Sequence, residues 1–351
     1  MVAKKTNQPF DSSELDELLL QKERLDIMIT KNEPLINDIE KILSEQLGRL
    51  GNIVDPSVPI SNDEANNRVE REYGPKHPEN GKLHHSDVMW RLGAYNTDAG
   101  SVVAGQRGYF LTGPGLIINM ALSQYGIDFL RKKGYEPVGT PYFMDQSVMA
   151  KTAQLSDYDD QLYKVTLNGH GEDKYLIATS EQPLSAMFIS GTNSPTFLDT
   201  NKVPIRMAGY STCFRKEAGS GADLRGLFRV HQFEKVEQFC VVAPEKSQEE
   251  HEKMLAIAEE FYQSLGLSYR VVNIVSGKLN NAAAKKYDLE AWFMHDHMYK
   301  ELVSCSNCTD YQSRKLNIKY GYNTNDTKAP FVHMLNCTLV ATERTMCCLM
   351  E

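Results

Sequence analysis

Two arginine-bearing segments, Cys213-Phe214-Arg215-Lys216-Glu217 and Phe228-Arg229-Val230-His231-Gln232-Phe233-Glu234-Lys235-Val236-Glu237, constrain this 351-residue chain more than any other feature. Each reads as an apolar strand whose charges point one way, as on a strand with one polar face. The stretch between them, Ala218 to Gly226, contains Gly and Ser, so the pair predicts an antiparallel hairpin whose charged groups converge on one anionic ligand. Such a pattern also describes a solvated strand face. Three further segments, Ile177 to Pro183, Glu301 to Thr309 and Leu335 to Arg344, carry the same residue types and favour a shared site.

The chain is longer than a typical single domain, which predicts one large domain and a smaller appendage. A formal charge of −8 opposes general polyanion binding and gives no reason to expect DNA as a partner; any RNA must meet a local basic patch, and no long Lys/Arg run marks one. No apolar run is long enough to span a membrane, and Met1 to Asn7 lacks the apolar core of a secretion signal. Seven scattered cysteines fit reduced thiols in the cytosol. Two Asn-Cys-Thr triplets, at Asn307 and Asn336, match a glycosylation pattern that has no meaning there.

From Asp11 to Leu50, Leu15, Leu18, Leu25, Ile29, Ile36, Ile39, Leu43 and Leu50 fall on heptad seam positions, whereas Lys22, Asn32 and Gln46 break the seam. Pro34 predicts a kink, or a second helix after a turn at Asn32-Glu33. Residues 53–98 read as a turn-rich linker. Pro114 opens a helix through Lys133 closed by Gly134, with an extended segment from Tyr135 to Pro141; a second helix spans Ser247 to Leu265. Strands mixed with separate helices predict an α+β fold on a mainly antiparallel sheet. With no glycine-rich phosphate loop, a bound nucleotide would be held by side chains.

The stretches Ile177 to Pro183, Phe228 to Phe239 and Glu301 to Asp310, with the helix-plus-Pro141 unit, resemble the signature motifs of class II aminoacyl-tRNA synthetases, and among these the seryl-tRNA synthetases of the eukaryotic cytosol. The likeness runs from about Asp16 to the last residue. It implies a class II synthetase fold, with residues 1–52 as part of a tRNA-binding arm and 53–351 as the catalytic domain. It implies a cytoplasmic homodimer that joins L-serine to ATP as seryl-adenylate and passes serine to tRNA(Ser), and to tRNA(Sec). The helix that would precede the heptad segment is largely absent, and Thr345 to Met350 still reads as helix where the chain stops.

By this resemblance Arg215 bridges the serine carboxylate and the α-phosphate, Arg229 and Arg344 hold the outer phosphates, and Glu217 reads the adenine amino group. Arginine suits these tasks because its planar fork binds carboxylate or phosphate through paired hydrogen bonds. Phe233 stacks on adenine, and Val230, His231, Gln232, Leu302 and Val303 complete the ATP site. Glu301 and Ser304 are the implied Mg2+ ligands, hard oxygens of the type that ion prefers. Thr179, Glu181, Glu237, Asn336 and Thr338, with Arg215, are assigned to serine; Arg215, Glu237 and Arg344 are the residues expected to carry catalysis.

No general base is required, since the attacking carboxylate is already ionised. Cys305 and Cys308 form a CxxC without a second ligand pair, which favours buried thiols over zinc. Glu343 departs from the family pattern, where a small hydroxyl residue is usual; a carboxylate there would pair with Arg344 or weaken its hold on phosphate. Cys337 is a milder departure. Two rival readings are a synthetase-derived binding or regulatory protein that no longer charges tRNA, and a ligase that loads a carrier protein.

Overall fold

The computed structural model describes residues 12–76, 83–152, 161–169, 171–190, 194–217, 225–322 and 328–351. The chain divides into two units, Met1–Leu50 and Gly51–Glu351. In the first, helix α1 (Ser12–Gly48) is continuous, with Pro34 inside it. Of the two outcomes expected at Pro34, a second helix after a turn is not seen; on a solvated helix, water can satisfy the carbonyl that loses its amide partner. Leu18, Leu25, Ile29, Ile36, Ile39 and Leu43 are all exposed along it.

The second unit is organised by an eight-stranded sheet. In chain order its strands are β1 (Arg68–Tyr73), β2 (Glu136–Gly139), β3 (Ile205–Phe214), β4 (Gln232–Val242), β5 (Tyr269–Asn273), β6 (Lys285–Phe293), β7 (Met298–Asn307) and β8 (His333–Ala341). Across the sheet the order is β1-β5-β6-β7-β8-β4-β3-β2. Every pairing is antiparallel except that of β2 with β3. The expected α+β architecture and the hairpin are both present: β3 and β4 pair directly, Gln232 opposite Phe214 and Val241 opposite Ile205. Within 53–98, β1 joins the sheet edge through β5, so this stretch supplies a strand as well as turns.

Side-chain alternation along β4 separates two cores. Val236, Cys240 and Val242 pack in one with Leu255, Phe261 and Tyr262, whereas Phe239 and Val241 pack in the other with Ile177, Leu184 and Met334. Helix α2 (Pro114–Lys132) and helix α3 (Ser247–Ser264) cover the first face. Pro114 starts α2 where an amide has no partner to lose, and Gly134, at φ 85°, ends it in a conformation that costs glycine little. The second face carries the short helix α4 (Glu181–Ala186), and the chain closes on α5 (Thr342–Met350).

Gly209 on β3 is required by this packing, because a Cβ there would lie 2.5 Å from Leu184 Cδ1 and 2.7 Å from Ser180 Oγ. Gly209→Ala is expected to cost about 1–3 kcal/mol by overpacking. Urea unfolding of the parent and variant measures that loss, and an unchanged midpoint would refute the account.

Candidate active site

The hairpin, the turn into α4, strands β7 and β8 and the start of α5 surround one cavity of about 360 Å³. Its lining includes Thr179, Glu181, Arg215, Glu217, Arg229, Val230, Phe233, Glu237, Glu301, Leu302, Ser304, Asn336, Thr338 and Arg344. Three expected residues lie elsewhere. His231 and Gln232 border a neighbouring cavity of about 450 Å³, and Val303 is buried in the helix-covered core. His231 Nδ1 is instead 3.0 Å from the Arg215 carbonyl, a contact that ties the two ends of the hairpin connection together.

Glu237 is the most completely buried of the polar lining groups. One carboxylate oxygen accepts from Thr179 Oγ1, from Ser180 Oγ at 2.7 Å and from the Glu181 amide at 3.2 Å. The other accepts from Asn336 Nδ2 at 3.1 Å and from Lys235 Nζ at 2.6 Å. Burial by itself would push this carboxyl up, but the Lys235 charge and the hydrogen bonds outweigh it and hold Glu237 at about 2. Strand alternation puts Phe233, Lys235 and Glu237 on one face of β4, and pairing with β8 sets Thr338 opposite Glu237.

Glu181 shows the opposite balance. Burial and the nearby Glu237 charge raise its carboxyl to about 7, although Gln312 donates to it at 2.7 Å and Lys235 opposes the shift. Two carboxylates close together thus divide into a firmly ionised one and one that titrates near neutrality.

The cations converge as the sequence suggests. The Arg215 guanidinium lies 5.3 Å from the Phe233 ring centre, and its buried Nε has no hydrogen-bond partner among the described residues. Arg229 pairs with Glu217 at 3.6 Å, and Glu217 reaches it from a left-handed backbone at φ 46°. Arg344 donates to the Phe228 carbonyl at 3.2 Å and lies 3.9 Å from a Glu301 oxygen. Its burial depresses its affinity for a proton; Glu301 opposes that fall, while Arg215 and Arg229 add to it. Arg215 and Arg229 are therefore both close enough to Arg344 to repel it.

Glu301 and Ser304 are three residues apart, which in a regular strand would put them on opposite faces. The register between β6 and β7 shifts at this point: Leu289 faces Val303, whereas Glu290 faces Glu301, leaving Leu302 as an extra residue. This bulge brings Glu301, Leu302 and Ser304 to the same cavity. Asp288, opposite Ser304, is a further buried carboxyl next to the Glu301 and Ser304 pair, though outside the cavity lining; burial and then the Glu301 charge raise it to about 7, and its Oδ1 has no hydrogen-bond partner among the described residues. Lys286 lies 3.7 Å from Asp288 and Arg344 3.9 Å from Glu301, so cations already border these groups; as hard oxygens they are of the type that suits Mg2+.

The CxxC cysteines are free and buried, with burial raising both thiols well above their usual range. Among the described residues, one cluster has metal-ligand composition: His84, His85 and Glu351. It is a hydrogen-bonded seam, with His84 Nδ1 2.7 Å from Ser86 Oγ and His85 Nδ1 2.9 Å from Glu351. Lys235, Ser180 and Asp288 were not legible as site residues beforehand, because a Lys or Asp on a strand and a Ser before a helix are ordinary surface or capping choices. The alternation with Phe233 and Glu237 was the available signal for Lys235.

This cavity, walled by an antiparallel sheet and holding convergent arginines, belongs to a class II aminoacyl-tRNA synthetase; residues 163–351 match the family described as the tRNA synthetase class II core domain (G, H, P, S and T). The chain is 50% identical over 338 residues to the cytoplasmic serine-tRNA ligase of Dictyostelium discoideum, covering 96% of this chain and 73% of that protein. It is 50% identical over 349 residues to the cytoplasmic enzyme of Saccharomyces cerevisiae, covering 95% and 74%. A crystal structure of the Naegleria fowleri cytoplasmic enzyme in complex with AMP superposes with a TM-score of 0.85 at 50% identity, over 94% of this chain and 77% of that one. The Pyrococcus horikoshii seryl-tRNA synthetase complexed with ATP gives 0.86 at 38% identity, over 99% and 79%. The chain belongs to the serine-tRNA ligase family.

Removing the Glu237 carboxylate strands the Lys235 ammonium in a buried setting, so Glu237→Ala is expected to cost about 3–5 kcal/mol. Replacing both partners with Met and Leu should recover much of that loss. Denaturant unfolding of the three proteins checks this, and a double variant no better than Glu237→Ala would contradict it.

Proposed function

We propose that this cavity carries out both steps of serine-tRNA ligation with the residues described above. In the first step the serine carboxylate attacks the α-phosphorus of ATP, the P–O bond to pyrophosphate breaks, and seryl-adenylate forms. In the second, a hydroxyl of the terminal tRNA ribose attacks the seryl carbonyl and AMP leaves. The observation that carries this reading is the meeting of Arg215, Arg229 and Arg344 around a space that also exposes Glu181, Glu237 and Thr338.

Arg215 holds the serine carboxylate against the α-phosphate, a role supported by its place in the cavity lining and by its guanidinium lying 5.3 Å from the Phe233 ring centre. Arg229 and Arg344 neutralise the leaving pyrophosphate, and Phe233 and Glu217 receive the adenine. Thr179, Glu181 and Glu237 receive the serine ammonium and hydroxyl, with Asn336 and Thr338 closing the pocket. Glu301 and Ser304, with Asp288 beside them, would hold Mg2+. Bound there, the ion would supply charge neutralisation at the phosphates.

A pocket that hydrogen-bonds the serine hydroxyl rejects alanine by roughly 10⁴, because alanine leaves buried polar groups unpaired. The retained set of ligand residues speaks against a protein that has lost activation. Exposed Ile117 and Met120 on α2 and Phe143 beyond β2 support a homodimer formed through this side. The α1 segment, with residues 1–52 as its domain, is proposed as part of the tRNA-contacting arm. Among the described residues no helix is long and apolar enough to cross a membrane, and the names of the relatives in Dictyostelium and yeast support a cytoplasmic location.

Serine- and Mg2+-dependent exchange of labelled pyrophosphate into ATP tests the reading directly. Arg215→Ala is expected to slow exchange by about 10²–10³, and a parent protein without exchange would reject the proposal. Glu181 has to be ionised to hold an ammonium, so kcat/KM for serine should rise with pH through about 7. Glu181→Gln should lower it and flatten that limb; an unaltered limb in the variant would assign the titration to another group.

A further inference from the structure

Glu343 precedes Arg344 at the start of α5 and is almost wholly buried. The sequence leaves two outcomes for it, pairing with Arg344 or weakening the hold of Arg344 on phosphate; the carboxyl is engaged by other partners. It accepts from the Glu234 amide at 3.1 Å, and its oxygens lie 2.9 Å from Tyr109 Oη and 3.1 Å from Thr342 Oγ1. The Glu234 carboxyl, on the helix-covered face of β4, is also hydrogen-bonded to it, and Asn119 Nδ2 on α2 donates to Glu234 at 2.8 Å.

Counting protons exposes a shortage. Tyr109 Oη has one proton and two acceptors in range: Glu343 and the Gln232 carbonyl at 2.9 Å. Thr342 Oγ1 also has one proton, shared between Glu343 and the Glu234 carbonyl at 3.3 Å. The contact between the Glu234 and Glu343 carboxyls has no proton at all if both are ionised. Neither carbonyl can donate, and neither can an ionised carboxylate. A single proton on Glu343 relieves the shortage: its O–H can donate to Glu234 or to the tyrosine oxygen, which is then free to serve the Gln232 carbonyl.

We propose that Glu343 is carried as the neutral acid and is a positioning residue for Arg344, its O–H closing a network that pins the first turn of α5 to β4 and to Tyr109. Burial, and then the Glu234 carboxyl, push the acidity of Glu343 in the direction this requires. Among the described residues, Glu234 on β4, Tyr109 on the segment before α2, Tyr210 on β3 and Cys347 on α5 are the titratable groups that interact with Glu343, and Arg107 lines the same small cavity as Glu234 and Tyr109. Arg344, its neighbour in the chain, is turned toward Phe228 and Glu301. Raising the pH through the Glu343 transition releases its proton to solvent and leaves two adjacent carboxylates. Their repulsion loosens the turn that aims Arg344.

The effect on ATP rests on the role of Arg344 proposed above, so the experiment has one arm that does not. In pyrophosphate exchange from neutral pH to the most alkaline pH at which the parent stays folded, the KM for ATP of the parent should rise about threefold or more at the alkaline end, and a parent with no rise overturns the positioning role. Glu343→Gln, which keeps a donor but cannot ionise, should stay within about twofold of the parent at neutral pH and show no alkaline rise. An identical rise in both proteins overturns the positioning role. Independently of catalysis, infrared difference spectra of isotope-labelled protein at neutral pH should show a protonated-carboxyl C=O band that is lost in Glu343→Gln. If that variant does not fold, Glu234→Gln serves, since removing the repelling charge should let Glu343 ionise at lower pH and shift the same band. A band that neither substitution alters, or its absence from the parent, overturns the proposed proton.

Discussion

The buried ion pair between Lys235 and Glu237 is the interaction on which the rest of the molecule depends. It lies within the central strand β4, between β3 and β8, and taking two charges out of water at that depth is tolerable only when nearly every lone pair is met. Thr179, Ser180, the Glu181 amide and Asn336 meet them. The same contacts fix the turn into α4 and the middle of β8 to a single register. Gly209 belongs to this arrangement, since any side chain there would displace Ser180 from the carboxylate. The pocket is therefore organised by the fold before a ligand arrives, the condition under which fixed dipoles and charges are most effective.

Preorganisation of this kind lets two neighbouring glutamates differ. Glu237 faces a cation and a full set of donors; Glu181 faces Glu237, with Gln312 as its donor. One is a permanent anion, and the other responds to what is bound. A second pair of carboxyls lies on the far side of β4, where Glu234 meets Glu343 of α5. Alternation of side chains thus lets one strand carry an ion pair on its cavity face and a lone carboxyl on its helix-covered face.

Much of this was legible in the sequence, for reasons that differ by element. The hairpin was visible because apolar residues alternate through Val236, and the boundaries of α2 and α3 because Pro114, Gly134 and Gly266 have strong local preferences. The residues gathered round the cavity were identified through family likeness, which stores three-dimensional outcomes that local pattern does not. Where motifs run unbroken, strand alternation still divides them: the side chains of Val303 and Gln232 lie on another face from those that line the cavity. The bulge at Leu302 was invisible, because two extended residues opposite one is a property of the pairing and not of either strand alone. Pro34 left two outcomes open, since its cost to a helix depends on whether water can reach the freed carbonyl.

The repulsion of Arg344 by Arg215 and Arg229 has a consequence for selectivity. A cluster of like charge attracts any small polyanion, and inorganic phosphates, sugar phosphates and nucleotides all satisfy it. Charge therefore supplies appetite without discrimination. Under the roles proposed for Phe233 and Glu217, telling a purine nucleotide from its competitors would fall to the groups beside the cluster, the flat ring of Phe233 and the Glu217 carboxyl that Arg229 holds at 3.6 Å.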